Sequence, residues 1–145
     1  MENQNVIYGI NGPVVTVKGT RSFSMMEMVY VGEERLVGEI IGINDRFTTI
    51  QVYEETTGLR PGEPVFGTGS PMNVTLGPGI IDNIFDGIER PLKTIEEQAG
   101  AFISRGSSIP ALDEEKLWDV TVTVQEGDKL QPGAIYAECP ETTII

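Results

Sequence analysis

Met28-Val29-Tyr30-Val31-Gly32-Glu33-Glu34-Arg35-Leu36-Val37-Gly38-Glu39-Ile40-Ile41-Gly42-Ile43-Asn44-Asp45-Arg46-Phe47-Thr48-Thr49-Ile50-Gln51-Val52-Tyr53 holds three β-type runs in succession. Met28 to Val31, Leu36 to Ile43 and Phe47 to Tyr53 are rich in Val, Ile, Thr and Tyr, the side chains that fit a pleated, half-buried surface. Gly32-Glu33-Glu34 and Asn44-Asp45 break them, and connections this short join antiparallel neighbours. The pattern continues outward. Upstream, Val6-Ile7-Tyr8-Gly9-Ile10 stops at Asn11-Gly12-Pro13, and Val14-Val15-Thr16-Val17 runs into Gly19. Downstream, Gly58 and Pro61-Gly62 lead to Pro64-Val65-Phe66. About six short strands in roughly 65 residues bury enough apolar surface only if the sheet curls on itself, which also removes its open edges. The expectation for residues 1–70 is a small six-stranded antiparallel β-barrel.

The next stretch changes character. After the breakers Leu76-Gly77-Pro78-Gly79, the apolar residues Ile80, Ile81, Ile84, Phe85 and Ile88 recur at helical spacing. Asp82, Asn83 and Asp86 take the other face, and Gly87 and Pro91 read as stop signals. The spacing predicts a short amphipathic helix over 80–88, its stripe covered by the barrel or by a domain outside this chain. A second helix is expected from Thr94 as N-cap, with Glu96 and Glu97 in its first turn and Gly100 at its end. Residues 71–100 thus form a linker of short helices. β character then returns: Leu117 to Val124 alternates, with Trp118, Val120, Val122 and Val124 on one face, and Ala134-Ile135-Tyr136-Ala137 follows turns at Gly127-Asp128 and Leu130 to Gly133. Residues 101–145 read as the start of a second β-rich unit. Two apolar residues, Ile144-Ile145, end the chain straight after strands that need partners, which suggests a cut product.

Composition narrows the function classes. With 39% hydrophobic and 22% charged residues the chain is globular, and no stretch reaches the roughly 18 to 20 apolar residues of a membrane helix. The net charge of −12 repels nucleic-acid phosphates and anionic membrane surfaces. The first residues lack the basic and apolar regions of a signal peptide, and Cys139 is the only cysteine, so the expected compartment is cytoplasmic. The chain has no histidine, which rules out a His-based triad or a His-bearing zinc site.

No segment offers catalytic, cofactor-binding or metal-binding residues. A P-loop needs GxxxxGK[ST] spacing, its lysine reaching the phosphates. Gly67-Thr68-Gly69-Ser70 lacks both spacing and lysine, and Gly77-Pro78-Gly79 has a proline without an amide donor. The glycines are therefore read as turns. The carboxylate pairs Glu33-Glu34, Glu54-Glu55, Glu96-Glu97 and the run Asp113-Glu114-Glu115 lack calcium-loop spacing. Adjacent strand residues point to opposite faces, so these are read as a solvated acidic surface. Tyr8, Tyr30, Phe47, Tyr53, Phe66 and Trp118 are expected in the core or an interface, having no basic residues around them to make a base-stacking platform. Met25, Met26 and Met28 are expected to fill core gaps, the alternative being a pliable contact patch.

Three ordered blocks carry a resemblance to a known family: Gln51-Val52-Tyr53-Glu54-Glu55-Thr56-Thr57-Gly58 with Pro61-Gly62-Glu63-Pro64-Val65, then Leu76-Gly77-Pro78-Gly79-Ile80-Ile81 with Phe85-Asp86-Gly87-Ile88 and Arg90-Pro91-Leu92, then Gly106-Ser107-Ser108-Ile109-Pro110-Ala111-Leu112-Asp113 with Leu117-Trp118. In this order they resemble the N-terminal part of the catalytic A subunit of archaeal/vacuolar-type rotary ATPases, from about Val6 to Ile145. The third block resembles the start of the bulge insertion that sets A subunits apart from B subunits and F-type relatives. The resemblance implies a barrel, a linker and the beginning of the bulge. The barrel would pack beside those of other A and B subunits in the crown of a hetero-hexameric head, with stalk subunits completing a soluble sector peripheral to the membrane. Intact members bind ATP or ADP with Mg and couple ATP synthesis or hydrolysis to proton or sodium transport. Their P-loop, catalytic glutamate and arginine finger lie downstream of the positions matched here. Val124 to Gly133 is also similar to half of a biotinyl- or lipoyl-carrier sandwich, with Lys129 in a connection and not in the modified hairpin. The alternative is a free-standing β-barrel binding module.

Overall fold

The computed structural model describes residues 5–18, 22–81, 83–100, 105–106 and 109–142. Expectations resting on Gly19, Asp82, Ser107, Ser108 and residues 143–145 lie outside these. The β pattern of the first half forms six strands: β1 (Ile7–Asn11), β2 (Val14–Lys18), β3 (Glu27–Val31), β4 (Leu36–Ile43), β5 (Phe47–Val52) and β6 (Val65–Pro71). They make one sheet in the order β1-β2-β5-β4-β3-β6, every pairing antiparallel. The outer members β1 and β6 meet as well. Val6 bridges Pro64, the Ile7 amide donates to the Glu63 carbonyl at 2.9 Å, and the Val65 amide donates to the Asn5 carbonyl at 2.8 Å. Edge backbone groups are satisfied there without a seventh strand.

Alternation then sorts the side chains. Val15, Val17, Val29, Val31, Leu36, Ile40 and Ile50 point inward and are fully buried, with Ile7, Val52, Val65 and Phe23 completing the cluster. Each buried Val, Leu or Ile contributes roughly 1.5–3 kcal/mol, against about 0–1 for an exposed ion pair, so this core dominates the barrel's stability. A bulge in β4 takes the register from Ile40↔Ile50 to Gly42↔Thr49 and turns Ile41 outward.

The described residues cluster as two units, 1–74 with 96–108 and 75–95 with 109–145. In the second, the helix expected over 80–88 is absent: the described residues there form turns, and Phe85 bridges Pro91. Asp86 explains the correction. Its Oδ1 accepts the amides of Ile88 (3.0 Å) and Arg90 (2.9 Å), and the Asp86 amide donates to the Arg90 carbonyl at 3.1 Å. This local closure competes with a helical turn and wins. The helix that does form, α1 (Leu92–Ala99), starts two residues before Thr94, which is therefore not its N-cap. Gly100, at φ 74°, ends it as expected, its amide donating to the Glu96 carbonyl at 2.9 Å.

The β-rich stretch is reduced to two short strands, β7 (Thr121–Val122) and β8 (Ala137–Glu138), paired antiparallel. Val120, Val122, Ile135 and Tyr136 are all more than half exposed, so the expected longer strands lack a surface to lie on. Trp118 is half-buried beside Gly79, where a Cβ would sit 3.2 Å from its ring, and the Lys116 ammonium stands 3.9 Å over it.

Candidate functional site

Backbone amides of the two glycine segments would have to be free to meet a phosphate. Gly67 and Gly69 lie in β6, where Glu27 claims the space. This glutamate is buried, at 4% exposure, and its carboxylate accepts the amides of Ser24 (2.7 Å) and Gly69 (2.9 Å). A Cβ on Gly67 would overlap Glu27 Oε1 and press on the Phe23 ring. The Gly79 amide donates to the Glu141 carboxylate at 2.7 Å, and Gly77 is held flush by Leu112. In both places a negative side chain of this chain occupies the position an anion would need.

The carboxylate pairs are dispersed over local tasks. Glu54 accepts the amides of Val37 (3.3 Å) and Gly106 (3.0 Å). Glu55 accepts the Thr57 hydroxyl, which together with that residue's amide holds its carboxyl below the ordinary value. Asp113 accepts the Glu115 amide at 3.0 Å, while Glu96 and Glu97 lie exposed on α1. Among the described residues no group of three or more His, Cys, Asp or Glu side chains is placed to hold a metal ion. No helix among them is long and apolar enough to cross a membrane.

The remaining candidate is the barrel's outer face. Tyr8, Tyr53 and Phe66 are exposed there, at 52%, 44% and 39%, with Tyr30 and Phe47 half-buried. The expectation of core or interface aromatics thus resolves to the surface, the one aromatic of the barrel core being Phe23. Tyr8 stacks on Phe47 at 5.0 Å and carries the Lys18 ammonium 5.0 Å from its ring, and the Arg35 guanidinium lies 4.8 Å from Phe66. Tyr53 donates its hydroxyl to Glu39 at 2.7 Å, a bond that raises its pKa. Met25 and Met26 are also more than half exposed and Met28 only half-buried, contrary to the core-filling expectation. Met26 and Met25 sit at the turn that delivers Glu27 to its buried position, with Met26 at φ 65°. Sequence reading missed Glu27 for that reason: nothing in Met25-Met26-Glu27-Met28 marks the glutamate as the buried member.

A six-stranded antiparallel sheet whose outer side chains carry aromatic and cationic groups, and whose end strands meet at the Val6–Pro64 bridge beside their first residues, defines a class. Residues 7–69 match the ATP synthase alpha/beta family, beta-barrel domain, and residues 109–145 match the ATP synthase alpha/beta subunit barrel-sandwich domain. The chain belongs to the ATP synthase alpha/beta family. Within it, the sequence corresponds to the N-terminal region of V-type alpha chains and of their A-type counterparts. The V-type ATP synthase alpha chain of Halothermothrix orenii is 54% identical over 145 residues, which are 100% of this chain and 25% of that one. The V-type alpha chain 2 of Clostridium tetani is 55% identical over 139 residues, 96% of this chain and 24% of its own. The corresponding A-type ATP synthase polypeptide of Natronomonas pharaonis, its A subunit, is 49% identical over 143 residues, 99% and 24% respectively. The chain spans about a quarter of the length of these relatives.

Proposed function

We propose that this chain is the assembly region of the catalytic A subunit of a V/A-type rotary ATPase and has no nucleotide, metal or catalytic site of its own. Residues 1–70 serve as the crown barrel, 71–100 as the linker toward a nucleotide-binding domain, and 101–145 as the beginning of the bulge. The barrel packs side by side with the barrels of neighbouring A and B subunits in a hetero-hexameric ring. The intact enzyme binds ATP or ADP with Mg and couples their interconversion to proton or sodium transport from a cytoplasmic position peripheral to the membrane.

The observation that carries this reading is the barrel's outward set of Tyr8, Phe47 and Phe66, placed on strand faces while the Val6–Pro64 bridge brings together the starts of the edge strands β1 and β6. Such a surface suits packing by side chains and not by strand addition. The glycine amides answered by Glu27 and Glu141 argue the same way against a phosphate ligand. Two measurements test it. Calorimetric titration with MgATP gives no heat of binding; micromolar affinity would overturn the assignment. Mixing the chain with the companion B subunit and sedimenting gives a complex that Tyr8→Glu with Phe66→Glu weakens at least ~10-fold, as loss of central aromatic contacts does. An unchanged affinity sinks the assigned surface.

A further inference from the structure

Arg105 and Gly106 belong to the same unit as the barrel although they follow its last strand by a long stretch of chain. They reach two separate loops of it. The Arg105 guanidinium donates through Nη1 to the carbonyls of Thr57 and Glu55 (3.4 Å to the latter), in the loop after β5. Its Nη2 faces the Glu34 carboxylate at 3.3 and 3.4 Å, in the β3–β4 turn. The planar guanidinium, with donors in a fixed fork, suits one group serving several acceptors. The next residue completes the contact. The Gly106 amide donates to Glu54 Oε2 at 3.0 Å, while Glu54 Oε1 accepts the Val37 amide of β4. Gly106 sits at φ 65° and so close to the backbone of Glu34 that a Cβ would overlap its carbonyl oxygen.

We propose that Arg105-Gly106 is a salt-sensitive latch that holds the returning chain on the barrel's loop end and releases it without opening the barrel. Two features argue for release. The ionic partners are open to solvent, Arg105 at 37% and Glu34 at 50%, so dissolved ions screen them. The barrel core is built from residues of 7–65 alone and contains neither latch residue nor its partners. The latch goes beyond the assembly role and does not depend on it.

Trypsin reads the latch directly, because it must take a free Arg105 side chain into its own pocket. In the intact chain at low salt, cleavage after Arg105 is slower than after Lys129, which lies exposed in the second unit. Raising the salt to about 0.5 M narrows the gap. Glu54→Ala, which leaves the scissile bond untouched, speeds cleavage after Arg105 by ~10-fold, tracking the open population, while cleavage after Lys129 is unchanged. Gly106→Ala does the same after correction by a short peptide carrying either residue. Far-UV circular dichroism melts verify the barrel in each variant; if Glu54→Ala lowers its melting, Gly106→Ala carries the test. Equal cleavage after Arg105 and Lys129 in the unaltered chain overturns the latch, as does an unchanged Arg105 rate in both variants.

Discussion

A buried glutamate with no cationic partner of its own element is costly unless its oxygens are answered, and Glu27 is answered by two backbone amides, Ser24 and Gly69. Truncating it leaves both amides unsatisfied. Glu27→Ala is expected to cost about 2–3 kcal/mol in urea unfolding, and Glu27→Gln less, since its carbonyl still accepts one bond. Asp86 makes a pH-dependent contribution. Burial acts to raise its pKa, and the hydrogen bonds from Arg90 and Ile88 with the Arg90 charge outweigh that, leaving it below the ordinary 3.8. The folded value is depressed, so the stabilisation is present above the unfolded value and is lost as pH falls through the folded one. The amide resonances of Ile88 and Arg90 should shift together below about pH 4. Asp86→Asn should remove that titration and loosen the 85–91 closure by about 1–2 kcal/mol at neutral pH.

Among the elements, β4 is tightly constrained at Gly38. Gly38 faces its cross-strand neighbour so closely that a Cβ would lie 2.9 Å from both the Gln51 carbonyl oxygen and the Ile50 side chain. Backbone cannot yield there, so Gly38→Ala should cost about 1–3 kcal/mol, measured as a lower denaturation midpoint with an unchanged slope. The six barrel strands were legible because period-two alternation and turn residues agree from Val6 to Phe66. The 80–88 helix was misread because Ile80, Ile81, Ile84, Phe85 and Ile88 satisfy helical spacing equally well. The Asp86-Gly87 pair was the contrary signal, a dipeptide that favours turns. For β7 and β8 the alternation was sound, yet a strand's length depends on what pairs with it, and sequence periodicity carries no partner. Arg105 was invisible for a related reason. Its contacts lie with residues 34 to 57, and no local pattern encodes so distant a pairing.

For the whole molecule, the two units offer separate probes. The single tryptophan, Trp118, lies in the second unit, whereas most of the strand residues lie in the barrel. Trp118 fluorescence should therefore change at lower denaturant than far-UV circular dichroism, the exposed Val120, Val122, Ile135 and Tyr136 in and beside β7 and β8 marking the less stable part. Coincident curves would show one cooperative body instead. The bridge between Val6 and Pro64 has a consequence for synthesis on the ribosome. The first strand to emerge has its bridging partner among the last barrel residues made, so the nascent sheet keeps both β1 and β3 as raw edges until the chain beyond Pro64 has cleared the exit. Arg105 emerges only later, onto loops that are already in place. The order of translation thus builds the six-stranded sheet first and fastens Arg105 and Gly106 to it afterwards.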